Sequence, residues 1–162
     1  MLPLKISMKR SGNMTYKIEK LSSNRILYMR RIGPYGVGNH ELMEKFKAWA
    51  IANCLFTEWA VILGISQDNP LITLPENCRY DVGVVAEDFA VTDADVYETQ
   101  LPGGKYAVFT IDHTAEAVQK AWGEIFNQLS AQGQQPDFSR PILERYIPAM
   151  IDNHLCEICV PI

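Results

Sequence analysis

Short runs of β-branched and aromatic residues alternating with polar ones open the chain. Tyr16–Ile18 and Arg25–Ile32 read as strands, and Leu21-Ser-Ser-Asn24 between them reads as the turn of an opening hairpin. Gly33-Pro-Tyr-Gly-Val-Gly38 breaks this pattern. Asn39 then suits a helix N-cap, and the spacing predicts a helix to about Asn53 that buries Leu42, Phe46, Trp49 and Ala50 or Asn53. Trp59–Ile65 and Arg79–Val85 follow as strands, and the loop between them carries the turn residues Asp68-Asn-Pro70 and Pro75-Glu-Asn77.

The same order then recurs. Asp95–Gln100 reads as a strand, Leu101-Pro-Gly-Gly104 as a turn, Tyr106–Ile111 as a strand and about Thr114 to Leu129 as a helix; Pro141–Ile147 and Leu155–Val160 close the chain as strands. Sliding one half on the other matches Tyr28 with Tyr106 at an offset of 78, and Leu42, Phe46, Trp49 with Val118, Trp122, Ile125 at an offset of 76. Shared periodicity without duplication would give part of this pattern. The expected fold class is α+β: two tandem duplicated strand-helix-strand-strand modules, an antiparallel sheet with two helices, and a central cleft where the halves meet. Residues 14–162 form that domain, and residues 1–13 read as an extension that is a leader, a tail or an alternative start.

Composition narrows the function classes. With 162 residues and 48% hydrophobic side chains, the chain can close a core. Fifteen Lys+Arg against 19 Asp+Glu give a net charge of −4, with no basic patch to draw the chain to nucleic acid. The longest apolar stretch, Trp59–Ile65, is strand length, so no membrane span is expected. Cys54, Cys78, Cys156 and Cys159 are too sparse for a disulfide scaffold, and reduced thiols in the cytoplasm are the expectation. Cys156-Glu-Ile-Cys159 has the spacing of a metal or redox pair, but in a terminal strand its cysteines point to opposite faces. No metal and no cofactor is expected.

The most informative segment is Pro141-Ile-Leu-Glu-Arg-Tyr146. In a strand, Ile142, Glu144 and Tyr146 share one face and Leu143 and Arg145 the other. If the first face is inward, Glu144 is desolvated, its protonated form is favoured, and a cationic guest drives it back to the ionised state. If the second is inward, Glu144 sits in solvent or pairs with an arginine, and the alternation does not choose. Trp49, Trp59, Trp122, Tyr28, Tyr35, Tyr80, Tyr106 and Tyr146 offer many flat surfaces, useful to a core and to a cation alike. Nucleophile elbows, phosphate loops, dinucleotide fingerprints and HExxH are absent, and His40, His113 and His154 are scattered.

Seven segments in order resemble the GyrI-like small-molecule-binding domain family. They are Arg25–Tyr35, Gly64-Ile-Ser-Gln-Asp-Asn-Pro70, Arg79-Tyr-Asp81, Gly103-Gly-Lys-Tyr-Ala-Val108, Ala121-Trp122, Arg140-Pro-Ile-Leu-Glu-Arg-Tyr146 and Cys156-Glu-Ile-Cys-Val-Pro161, a span from about Met14 to Ile162. The family includes free-standing DNA gyrase inhibitory proteins and the effector-binding domains of AraC-type and multidrug-sensing MerR-type regulators. The resemblance implies the tandem fold, a hydrophobic cleft between its halves, and a floor glutamate that meets lipophilic, cationic guests. On this chain that residue is Glu144, facing inward, with Tyr146 beside it. Trp122 and Tyr106 match positions that line the cleft, and Trp49 is the counterpart of Trp122 in the other half. About thirteen residues before the domain cannot hold a helix-turn-helix, and the closing motif has Leu155-Cys-Glu-Ile-Cys where the family more usually has Arg/Leu-Thr-Glu-Ile.

Three functions follow from the resemblance. The first is capture of small lipophilic or cationic ligands by a free-standing domain. The second is contact with DNA gyrase, without direct nucleic-acid or membrane binding. The alternative is hydrolysis of strained cyclopropane-bearing genotoxins by the cleft glutamate and tyrosine, a chemistry consistent with a carboxylate of raised pKa.

Overall fold

A computed structural model describes residues 14–91 and 93–162; the extension expected at residues 1–13 lies outside them. Eight strands form one antiparallel sheet, and the helices pack on one of its faces. In chain order the elements are β1 (Tyr16–Leu21), β2 (Asn24–Ile32), α1 (Val37–Ala52), β3 (Ile62–Ser66), β4 (Arg79–Val85), β5 (Tyr97–Leu101), β6 (Gly104–Asp112), α2 (Ala115–Ala131), β7 (Leu143–Tyr146), α3 (Pro148–Ile151) and β8 (Leu155–Pro161). The spatial order is β1-β6-β8-β7-β3-β4-β2-β5. Each half contributes a helix and a four-strand block, and β7 and β3 meet at the seam.

The expected opening hairpin does not form, and the strands on either side of the Leu101–Gly104 turn do not pair with each other. β1 pairs with β6 of the second half, and β5 pairs with β2 of the first. Ser22-Ser23 and Pro102-Gly103 are therefore crossovers between the halves. They pass in contact, since the Ser23 hydroxyl donates to the Leu101 carbonyl at 3.0 Å and a Cβ on Gly103 would fall 2.5 Å from the Leu21 carbonyl oxygen. Only a residue without a side chain fits there. The exchange carries Leu21 and Leu101 into the core on the helix-free face of the curled sheet, beside Ile26, Leu63, Tyr106, Val108 and Leu143.

Two further cores lie under the helices. Leu42, Phe46 and Ala50 of α1 pack on Leu27, Met29, Val82 and Val84; Ala121, Ile125 and Leu129 of α2 pack on Ala107, Phe109, Ile158 and Val160. Burial of each large side chain contributes about 1.5–3 kcal/mol. The buried helix positions correspond as Leu42 with Ala121, Phe46 with Ile125 and Ala50 with Leu129. The helices therefore match at an offset of 79, not the expected 76, and Met43 is the counterpart of Trp122 while Gln128 is that of Trp49. Trp49 and Gln128 do equivalent work. The Trp49 indole donates to Asp93 Oδ2 at 2.7 Å and the Gln128 amide to the Met14 carbonyl at 2.7 Å, so each helix ties down the lead-in to an exchanged strand.

Several boundaries differ from expectation. α1 starts at Val37 behind Gly36 (φ 139°), and Asn39, the expected cap, instead accepts from the Arg31 guanidinium at 2.9 Å. β3 starts at Ile62, leaving Trp59 in a turn and 71% exposed. β7 has only four residues because Pro148 opens the unexpected α3, proline being suited to a first helical turn. The start of α2 is as expected, with Thr114 Oγ1 accepting from the Ala117 amide at 3.1 Å.

Candidate functional site

β7 lies at the seam, paired with β3 on one side and β8 on the other. Strand alternation sends Leu143 into the core on the helix-free face and Ile142 and Tyr146 to the helix face. Tyr146 packs against the cores under both α1 and α2, which makes β7 the floor of the groove between the helices. Glu144 stands on that floor directly opposite Gly64 of β3. Gly64 has no side chain for a reason: a Cβ there would lie 2.4 Å from the Tyr80 hydroxyl, which occupies the space over the strand. At this pair the Tyr80 hydroxyl takes the space that a side chain on Gly64 would need, and it stands beside the Glu144 carboxylate.

Glu144 is half-buried and accepts a hydrogen bond from the Tyr146 hydroxyl. Burial holds its carboxyl above the ordinary range, while that bond and the Trp122 indole N–H favour the ionised form. Burial, and then the nearby Glu144 carboxylate, push both tyrosines upward, so Tyr80 and Tyr146 remain neutral donors. The same two causes push the Cys156 thiol up to about 12, which leaves it inert as a nucleophile. The His113 ring packs edge-on to Tyr146 at 5.6 Å, and burial followed by the Lys47 charge lowers its pKa.

The other interior carboxylates are treated differently. Asp81, 2% exposed, receives both Arg30 Nε at 2.7 Å and Arg30 Nη2 at 2.8 Å. Glu157, 4% exposed, receives Arg145 Nε at 2.9 Å. Glu144 has no basic partner among the described residues. A carboxylate desolvated without a counter-charge is costly to ionise, and an entering cation relieves that cost.

The GyrI-like small molecule binding domain model matches residues 14–162. The chain belongs to the GyrI-like family. Among its relatives, "SPbeta prophage-derived putative transcriptional regulator YosT" of Bacillus subtilis (strain 168) is 53% identical over 92% of this chain and 99% of its own length. A DNA gyrase inhibitor of Serratia proteamaculans (strain 568) is 30% identical over 76% of this chain and 81% of its own. The GyrI-like fold recurs in the EcmrR C-terminal domain, with a TM-score of 0.71, 12% identity, and coverage of 92% of this chain and 97% of that one. It recurs in SAV2435 bound to tetraphenylphosphonium, with a TM-score of 0.61, 19% identity, and coverage of 91% and 93%. No helix among the described residues is long and apolar enough to cross a membrane.

Within this GyrI-like domain the expected site residues separate. Glu144, Tyr146 and Trp122 come together at the groove floor. Tyr106 does not join them. It is 0% exposed on the opposite face of the sheet, its ring under the Arg140 guanidinium at 5.0 Å and its hydroxyl donating to the Pro102 carbonyl at 3.3 Å. Alternation decides this, because its neighbour Ala107 is the residue that faces α2. Trp49 also lies apart, packed on Phe46 and Phe89 and tied to Asp93. Tyr80 and His113 are the additions. Gly64 in an otherwise apolar strand was the available signal for Tyr80, since such a glycine marks a close approach; His113 had none.

Proposed function

We propose that this GyrI-like domain captures lipophilic cations in the groove between α1 and α2, with Glu144 as counter-charge and Tyr146, Trp122 and Tyr80 enclosing the guest. The observation that carries this reading is the contrast among the interior carboxylates: Asp81 and Glu157 are neutralised by arginines, and Glu144 has only uncharged donors, the Tyr146 hydroxyl and the Trp122 indole. Aromatic faces around a desolvated carboxylate favour a charge that is diffuse and apolar over a small hydrated ion. The tetraphenylphosphonium held by the structurally similar SAV2435 supports the same ligand class.

Calorimetric titration of tetraphenylphosphonium tests the reading. The wild-type chain should bind it and Glu144→Gln should bind it about 10- to 100-fold more weakly, the range for losing one charged contact. Absence of binding to the wild-type chain would dismiss capture. The relative named DNA gyrase inhibitor supports gyrase as a macromolecular partner as well. A supercoiling assay tests that: inhibition should be equal for wild type and Glu144→Gln, and no inhibition by either removes gyrase from the account.

A further inference from the structure

Beyond Trp122, the groove wall continues in aromatic rings. Phe126 lies one turn further along α2, its ring 6.5 Å from Trp122 and tilted by 39°. Phe138, on the segment between α2 and β7, stands 6.1 Å from Phe126 at the same tilt. On the floor, Ile142 precedes Glu144 on the same strand face and packs into the same cluster as Trp122 and Phe126. Wall and floor therefore run together from the Glu144 carboxylate toward Phe138.

Phe138 is 73% exposed, yet its position is held firmly. The preceding Asp137 amide donates to the Pro161 carbonyl at 2.8 Å. The Asp137 carboxylate receives the Ser139 amide at 3.0 Å, the Ser139 hydroxyl at 2.6 Å and Arg140 Nε at 3.1 Å. Arg140 in turn donates to the carbonyls of Lys105 and Ile162. A large aromatic ring presented to water from a turn fixed by this many bonds is arranged for contact, because its ordering has been completed before any guest arrives. The equivalent positions of α1 carry no such rings: Met43 stands where α2 has Trp122, and Lys47 where it has Phe126, while the aromatic run of the first half, Phe46, Trp49 and Phe89, includes neither position.

We infer that Phe126 and Phe138 form an outer aromatic subsite continuous with the Glu144 groove, so that the preferred ligand is an elongated aromatic cation with its charge at Glu144 and its far ring on Phe138. This rests on the cation-capture reading and adds to it the shape of the ligand. Compact cations would fill only the inner part, and elongated ones would also stack on the outer rings.

The test compares tetraphenylphosphonium, which is compact, with thioflavin T, which is cationic, linear and aromatic, on wild type, Phe138→Ala and Phe138→Trp. Phe138→Ala should weaken thioflavin T about three- to tenfold, the range of one aromatic pair, and leave tetraphenylphosphonium unchanged. Phe138→Trp should restore thioflavin T binding. Because the side chain is mostly in water, these variants should melt like wild type. Equal effects on both cations, or none on thioflavin T while tetraphenylphosphonium still depends on Glu144, would overturn the outer subsite alone. No binding of either cation to wild type would overturn the capture reading together with it.

Discussion

Removing the charge from Glu144 should stabilise the empty protein at neutral pH. Burial raises the folded-state pKa of this carboxyl, so folding favours its protonated form. A group shifted in that sense stabilises the fold fully below its ordinary pKa, about 4.3, and loses that contribution as pH rises through the raised value. Each pH unit between the two values is worth about 1.4 kcal/mol, or about 3–6 °C in melting temperature for a domain of this size. Gln at position 144 keeps an oxygen to accept from the Tyr146 hydroxyl and carries no charge at any pH. Glu144→Gln should therefore melt above wild type at pH 8, and the gap should close as pH falls toward 4. Comparison of the two proteins at each pH cancels the opposite contributions of Asp68 and Asp137, whose pKa values are lowered by hydrogen bonds with Arg79 and Ser139 respectively. Melting temperatures that run parallel across pH, or a Glu144→Gln variant less stable than wild type at pH 8, would mean that the Glu144 charge does not oppose folding.

Two further perturbations probe the scaffold. Arg145→Met leaves the Glu157 carboxylate buried without its partner and should cost about 3–5 kcal/mol in urea denaturation; the double variant with Glu157→Leu should recover most of that, and a double variant as unstable as the single would contradict it. Gly103→Val places a side chain against the Leu21 carbonyl and the Ser23 amide at the crossover and should destabilise by about 2 kcal/mol or more, whereas the same change at the exposed Gly123 of α2, which faces open space, should be neutral or stabilise by about 0.5 kcal/mol or less, valine having the better helix propensity. Equal losses at the two sites would mean that the crossing is not sterically constrained.

Much of this arrangement could be read from the residues alone, and the parts that could not have physical reasons. The alternation of Ile142, Glu144 and Tyr146 against Leu143 and Arg145 told which side chains travel together, because a strand has only two faces. Which face was inward came from the family resemblance, and the cores under α1 and α2 agree with it. The strand exchange was hidden because Ser22-Ser23 and Pro102-Gly103 have the length and composition of hairpin turns; whether a strand pairs with its neighbour or with the other half is decided by the core that Leu21 and Leu101 enter. Tyr106 was misplaced for a similar reason, since a one-residue difference of register moves a side chain through the sheet. Trp49 and Trp122 look alike in sequence, but the buried helix positions set them on different sides of their helices, one tying down the lead-in to β5 and one at the carboxylate.

On the capture proposal, the Glu144 carboxylate, which has no basic partner among the described residues, selects the charge of the guest. Tetraphenylphosphonium and tetraphenylborate have nearly the same shape and opposite charge, so their relative affinities isolate that effect. Equilibrium titration of both ions against wild type and Glu144→Gln should show a clear preference of wild type for the phosphonium, falling by about tenfold or more in the variant. Equal affinity of wild type for the two ions, or a phosphonium preference that survives in Glu144→Gln, would contradict the account.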